Sequence, residues 1–287
     1  MEEKKDFKGS QKGQKGQKGQ RDQKKEYRKP SLISIAGLDP SGCAGLLLDV
    51  RVIRALGFHP CGVVTALTFQ NTCKGYGFEL VSPSAVEKQL SSILEDKLIA
   101  GVKIGLLNSI EIAKVVVDLL KSYGLGKKGP VVWDPIIKST TKLEFFNENF
   151  VEVAEFLSNV VDVVTPNVEE AELLSGRKIE DISSAEEAAR IISRRLNSSV
   201  VITGGKLKGV DVVLEGEKAF TVEAEFSPVE IRGTGCIYSS ALTCYLSKGD
   251  SLEDATRHSR LYLLESVKRA RLTGKCLPCS DPALNFD

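Results

Sequence analysis

The chain has 287 residues, 42% of them hydrophobic and 27% charged, with a formal net charge of +1. That is the composition of a globular protein large enough for a sizeable core, and near-neutrality argues against a nucleic-acid surface spread over the whole molecule. The two histidines, His59 and His258, argue against histidine-rich metal sites, and no run approaches the ~18 uninterrupted apolar residues of a membrane span.

Residues 1–29 hold nine Lys and two Arg against five acids, so the positive excess lies entirely in this segment. A Lys-Gly-Gln repeat runs from Lys12 to Gln20 without apolar periodicity. A disordered, solvated basic tail is expected, with contact to RNA or an anionic surface as the lesser alternative.

Order is expected from Ser31. Leu32 to Ala36 is a short apolar strand stopped by Gly37, and Ala44 to Leu56 has helical spacing. Between them, Gly37 to Gly45 is a glycine-rich turn that fits neither the dinucleotide fingerprint nor the Walker pattern. Asp49 follows Leu46-Leu47-Leu48 in the helix. A carboxylate beside apolar residues needs a partner, either a ligand or, if the position is exposed, water. Cys61 to Thr68 is strand-like. Gln70-Asn71-Thr72 follows, with amides able to read a heteroaromatic edge. The glycine-spaced stretch after them, to Gly77, is either a mobile flap or a turn.

A helix begins at Ser82-Pro83 and reaches about Lys97. Val102 to Ile104 is a strand, Ser109 to Ser122 a helix, and Val131 to Trp133 a strand ending at Asp134-Pro135. Val160 to Val164 is a strand ending at Thr165-Pro166-Asn167. Helices follow over Val168–Leu174 and Ala185–Leu196. Asn167 suits the N-cap of the first of these. Asp134, Asn167 and Glu170 together suit magnesium and phosphate, because Mg²⁺ takes few protein oxygens and keeps its waters. Val200 to Ile202 is a strand running into Gly204-Gly205, and Val210–Leu214 with Ala219–Val222 is a hairpin. Two helices, about Cys236–Ser247 and Leu252–Leu272, close the chain.

Strands alternating with helices imply an α/β fold, a mainly parallel sheet covered on both faces, with ligands outside the carboxyl ends of the strands. Asp39, Asp134, Asn167, Gly204 and Gly233 fall at those ends. Arg232-Gly233-Thr234-Gly235-Cys236 is the most informative of them. It is a glycine-rich turn opening directly into a helix, whose free N–H groups make an anion site. A helix mouth is expected to stabilise the Cys236 thiolate.

The seven cysteines are Cys43, Cys61, Cys73, Cys236, Cys244, Cys276 and Cys279. An odd number at scattered spacing does not read as a disulfide framework, and a cytoplasmic location is expected. Cys276-Leu277-Pro278-Cys279 resembles half of a zinc site without a second half.

From about Ser31 to Leu272 the chain resembles the hydroxymethylpyrimidine and phosphomethylpyrimidine kinases of thiamine biosynthesis, in the ribokinase-like superfamily. The carriers are AGLDPSGCAG (36–45) with Asp49, TALTFQNT (65–72), KIGLL (103–107), Asp134-Pro135, TPNVEEAELLSG (165–176) and RGTGC (232–236). The resemblance implies one ribokinase-like domain over residues 30–275, a C-terminal tail over 276–287, a homodimer, and ATP with Mg²⁺. The implied substrates are 4-amino-5-hydroxymethyl-2-methylpyrimidine and its monophosphate; neither nucleic acid nor membrane is an expected partner. Carried over by position, Gly37, Asp49, Gln70 and Leu106 contact the pyrimidine. Cys236 is the general base, and the amides of Gly233, Gly235 and Cys236 hold the transferred phosphoryl. Asp134, Asn167 and Glu170 serve Mg·ATP, with Asp134 and Glu170 reaching the metal through water. Thr203, Gly204 and Thr234 lie on the nucleotide.

Some positions depart from the family pattern. Cys43 stands where glycine is usual and Leu106 where methionine is common. Thr203 stands where lysine is usual, and Lys206 is the nearby cation that could compensate. The segment after Asp134-Pro135 lacks the usual glycine. The alternatives are a pyridoxal or pyridoxine kinase, which shares the fold and cofactor, and a catalytically weak pyrimidine-binding regulator.

Overall fold

The computed structural model describes residues 29–107, 109–145, 150–223, 225 and 230–282. All but the last residue of the basic tail, and residues 283–287, lie outside these.

The described strands form one nine-stranded sheet, in the order β3-β2-β1-β4-β5-β6-β7-β8-β9. They are β1 (Ser31–Leu38), β2 (His59–Gln70), β3 (Gly75–Leu80), β4 (Ile99–Ile104), β5 (Val131–Trp133), β6 (Val163–Val164), β7 (Ser199–Ile202), β8 (Val210–Glu215) and β9 (Lys218–Glu223). Pairing is parallel from β2 through β7 and antiparallel at β2–β3, β7–β8 and β8–β9. The helices are α1 (Gly45–Ala55), α2 (Pro83–Asp96), α3 (Ile110–Ser122), α4 (Phe150–Leu157), α5 (Val168–Ser175), α6 (Ile182–Leu196), α7 (Thr234–Lys248) and α8 (Leu252–Lys268).

Alternation along the strands sends side chains to two cores. Ile33, Ile35, Val102, Ile104 and Trp133 pack beneath α2 to α6. Leu32, Val132, Val163 and Val201 pack beneath α1, α7 and α8. Because both faces are covered, the parallel strands read as continuous apolar runs. α7 packs against α1, α8 and the sheet, and its residues Cys236–Tyr245 are all buried.

The expected alternation is present, with five differences. The stretch read as a flap or turn contains β3, an edge strand on β2. α4 was not anticipated. The strand expected over Val160–Val164 is shortened to two residues, and the last helix ends at Lys268. Finally, part of the expected C-terminal tail is built into the domain. Arg232 N–H donates to Pro278 O at 3.0 Å, and Ser280 N–H to Arg232 O at 3.1 Å.

The chain leaves β1 for β2 on one side and returns to β4 on the other. That reversal opens a crevice at the carboxyl ends of β1 and β4. Gly37 and Leu106 face each other across it: a Cβ added to Gly37 would lie 3.0 Å from Leu106 Cδ2.

Candidate active site

A cavity of about 200 Å³ occupies this crevice. Of the residues singled out from the sequence, Gly37, Gln70, Leu106, Asp134, Asn167, Glu170, Thr203, Gly233, Thr234, Gly235 and Cys236 all line it. Asp49 and Gly204 do not.

The anion cradle is the start of α7. Gly233 sits at φ +86° as its N-cap residue, and no side chain caps the helix. A Cβ at Gly233 would meet Cys43 O at 2.3 Å and Leu48 Cδ2 at 2.4 Å, so only glycine fits. The first-turn N–H groups therefore remain available to an anion. Arg232 lines the cavity with a 1% exposed side chain, and its Nε has no hydrogen-bond partner among the described residues. Its Nη2 holds Asp39 at 2.9 Å and its Nη1 donates to Asn71 O. An orphaned guanidinium N–H beside uncapped helical amides suits a phosphoryl group.

Asp49 is fully buried. Its partner is Lys103, at 2.9 Å, supported by the hydroxyls of Ser34 at 2.6 Å and Ser240 at 3.0 Å. Asp49 does not line the cavity; it braces β1, β4 and α7 behind the cavity wall. Lys103 also lies 3.8 Å from Asp134, which accepts from Ser239 Oγ at 3.0 Å. Burial alone would push Lys103 down, but Asp49, Cys236 and Asp134 together hold it above the ordinary lysine range. It is a fixed cation.

Burial pushes the Cys236 thiol up to about 12, with Asp49 and Asp134 adding to it. Lys103 and the Gly45 N–H, which donates to Sγ at 3.4 Å, pull the other way and lose. This corrects the expectation of a stabilised thiolate at the helix mouth. The thiol is buried among carboxylates, and desolvation outweighs the helix terminus.

Asn167 and Glu170 form a reciprocal capping box on α5: Glu170 N–H donates to Asn167 Oδ1 at 3.1 Å, and Asn167 N–H to Glu170 Oε2 at 2.8 Å. The N-cap reading of Asn167 holds. Burial and the nearby Asp134 charge push Glu170 up to about 8, and burial also raises Asp134. Two buried carboxylates, both raised by burial, form a donor set suited to a cation with oxygen ligands.

The Gln70 amide is anchored from both ends, donating to Thr68 Oγ1 at 3.0 Å and accepting from Thr141 Oγ1 at 3.1 Å. Leu106 forms an apolar wall with Ala66 and Phe145. Thr203 lines the cavity and carries no charge. Lys206 turns instead to Glu169, at 2.6 Å, and does not reach the cavity. Lys138, also paired to Glu169, is the lysine that lines it. The Gly204 N–H is tied to Asp211 Oδ1 at 2.6 Å, and a Cβ there would strike Val210 O at 2.3 Å, so this glycine shapes the turn. Beyond Thr203 and Thr234 an adjoining groove of about 400 Å³ is lined by Gly205, Tyr238, Arg260, Leu263 and Val267.

Sequence reasoning did not select Lys103, Arg232, Lys138 or Ser239. Lys103 and Arg232 sit inside quoted motifs, and a lysine within an apolar strand was a readable sign of a buried partner.

Comparison with known proteins agrees with this geometry. Residues 39–278 match the phosphomethylpyrimidine kinase family. The hydroxymethylpyrimidine/phosphomethylpyrimidine kinase of Aquifex aeolicus is 38% identical over 85% of this chain and 96% of its own.

The chain belongs to the phosphomethylpyrimidine kinase family.

It is therefore a phosphotransferase of the ribokinase-like fold. The phosphomethylpyrimidine kinase of Clostridium difficile 630 superposes with a TM-score of 0.73 at 30% identity, covering 83% of this chain and 100% of that one. The pyridoxal kinase of Staphylococcus aureus, solved with pyridoxal and with AMP-PCP, superposes with a TM-score of 0.79 at 25% identity, covering 88% and 93%. The pyridoxal kinase alternative is thus a structural relative.

Two outcomes are expected. Lys103→Met leaves Asp49 buried without its cation and lowers unfolding free energy by about 3–5 kcal/mol in denaturant titrations. Between about pH 4.5 and 8 the folded state holds a proton on Glu170 that the unfolded state has lost. Stability therefore falls as pH rises through that window, by at most ~1.4 kcal/mol per unit from this group. Glu170→Gln, which keeps the capping geometry, flattens that part of the profile when thermal unfolding is followed against pH.

Proposed function

We propose that this kinase transfers the γ-phosphoryl of Mg·ATP to the hydroxymethyl group of 4-amino-5-hydroxymethyl-2-methylpyrimidine, and then phosphorylates the resulting monophosphate, in thiamine biosynthesis. The observation that carries the reading is the meeting, in one cavity, of an uncapped helix N-terminus, a thiol and an amide-lined slot.

The slot has apolar walls from Leu106 and Phe145 and a polar edge from Gln70. That suits a flat ring with donors and acceptors on its rim. A ring held there directs its hydroxymethyl toward Cys236 and the start of α7. The amides of Gly233, Gly235 and Cys236, with Arg232 Nε, receive charge on the transferred phosphoryl. Lys138 supplies the cation that position 203 lacks. Thr203, Thr234 and the adjoining groove take the rest of the nucleotide; Gly204 shapes that wall from behind. Asp134 and Glu170 would hold Mg²⁺ through water, and the ion would neutralise charge on the phosphate oxygens.

As a thiolate, Cys236 accepts the hydroxyl proton; the buried thiol must first release its own proton to solvent, and Lys103 is the buried cation that favours the resulting charge. Asp49 acts through Lys103 by holding that ammonium in place.

A homodimer is proposed on the exposed apolar side chains of β2 and β3, Leu67, Phe69, Tyr76 and Leu80. A cytoplasmic location is proposed; no helix among the described residues is long and apolar enough to cross a membrane.

The test is ATP-dependent phosphorylation by the purified protein, with the pyrimidine, its monophosphate and pyridoxal assayed in parallel. Turnover of both pyrimidines is expected. Turnover of pyridoxal alone would reassign the substrate, and pyrimidine binding without turnover would reduce the protein to a regulator. In the same assay Cys236→Ala should lower kcat by about 10²–10⁴-fold, the usual contribution of a positioned base, with pyrimidine affinity nearly intact. Unchanged turnover would remove Cys236 from the mechanism.

A further inference from the structure

Four cysteines with no part in phosphoryl transfer surround one segment. Cys43 is bonded to Cys279 and Cys73 to Cys276, across 236 and 203 residues of sequence. This corrects the sequence expectation: pairing is long-range, so spacing along the chain does not display it. The CLPC motif is not half of a zinc site, because each of its cysteines joins a different loop. No group of three or more His, Cys, Asp or Glu side chains placed to hold a metal ion occurs among the described residues.

Both bonds end on the segment 271–282, and both begin in loops that build the cavity. Cys43 belongs to the β1–α1 loop, and its carbonyl packs against Gly233, where an added Cβ would come within 2.3 Å of it. Cys73 lies two residues past Asn71, whose carbonyl accepts from Arg232. The segment itself grips the phosphate turn. Pro278 O and Ser280 N–H bracket the Arg232 backbone, Ser280 Oγ donates to Arg232 O at 2.5 Å, and Leu277 N–H donates to Thr72 O at 3.2 Å. One strap thus joins the substrate loop, the phosphate turn and the loop before α1.

We propose that this strap is a redox-controlled clamp on the active site, closed when both disulfides are formed and loosened when they are reduced. The two bonds differ in access: Cys73 and Cys276 are exposed, whereas Cys43 and Cys279 are buried. Thiolate attack needs access to sulfur, so the outer bond opens first and the inner one second. Each disulfide takes two electrons and two protons from one dithiol, which becomes a disulfide. In the reverse step, two thiols and one hydrogen peroxide give a disulfide and two waters. In a cytoplasmic protein, disulfides are characteristically redox-responsive, which agrees with this use. Releasing the strap leaves Arg232 and its loops to reach their binding arrangement only part of the time, which weakens apparent affinity in proportion.

The kinetic part rests on the reading of the cavity as the pyrimidine site; the structural part does not. The test starts from cells quenched with an alkylating agent, followed by digestion without reductant and mass spectrometry. Peptides linked as Cys43–Cys279 and Cys73–Cys276 are expected, with Cys61, Cys236 and Cys244 free. Graded dithiothreitol should open Cys73–Cys276 first. Hydrogen exchange of 271–282 and of the β1–α1 loop should rise on reduction, read without any substrate. The pyrimidine KM should rise roughly tenfold with kcat changed less than about twofold, the mark of lost preorganisation. Full reduction should lower Tm by roughly 5–15 °C. Cys276→Ser should resemble the partly reduced protein and lack the first step. Free thiols at all four positions in quenched cells, a Cys276–Cys279 bond, unchanged exchange on reduction, or outright unfolding at 25 °C would each overturn the clamp. Unchanged exchange rejects the strap whatever the substrate, whereas failure of pyrimidine turnover with exchange as expected rejects only the substrate reading.

Discussion

A lysine ammonium sealed from water must keep anions around it, and the centre of this protein is arranged on that constraint. Lys103 comes from β4 and has no exposed surface. It binds Asp49 from α1 at 2.9 Å and approaches Asp134, after β5, at 3.8 Å. Ser34 on β1 and Ser240 on α7 complete the Asp49 shell, and Ser239 on α7 supports Asp134. One charge thereby fixes three strand ends and two helices relative to one another. Well-packed apolar residues would stabilise such a junction as well or better. What the lysine adds is a positive field beneath the Cys236 thiol, where an apolar side chain would leave only the carboxylates.

The phosphate turn depends on the same junction. α7 is buried along most of its length, so it cannot shift without disturbing α1, α8 and the sheet. Its N-terminus is therefore a fixed cradle, and fixed dipoles stabilise developing charge without reorganising. The substrate wall is lighter. Leu106, Ala66 and Phe145 form a small cluster apart from the two main cores, with Gln70 held by threonine hydroxyls. Rigid electrostatics beside a smaller apolar pocket is a sensible division for a kinase that accepts a ring of defined size.

Much of this was legible in the chain. Period-two apolar runs and helical spacing located most of the sheet and helices, and the glycine turn before Cys236 located the cradle. Local cues were sometimes present but passed over. Gly75 to Leu80 alternates Tyr76, Phe78 and Leu80, a strand pattern masked by its glycines. Phe150, Val153, Ala154 and Leu157 have the spacing of the buried face of α4. Other features are not local at all. Asp49 plainly needed a partner, but Lys103 lies 54 residues away. The disulfide partners are more than 200 residues apart. The Cys236 thiol was misjudged for a related reason. A helix start is visible in sequence, whereas the burial and the two carboxylates that outweigh it are assembled by the fold.

The balance at that thiol is the claim on which the mechanism turns, and it can be read at one atom. The rate of iodoacetamide alkylation at Cys236, followed by mass spectrometry of its peptide against pH in the ligand-free protein, reports its thiolate fraction. The structure predicts very slow reaction at neutral pH and a rate still climbing beyond about pH 10, because burial holds the thiol near 12. A plateau near pH 7 would contradict the account, and would mean that the helix N-terminus and Lys103 outweigh desolvation and that Cys236 rests as a thiolate.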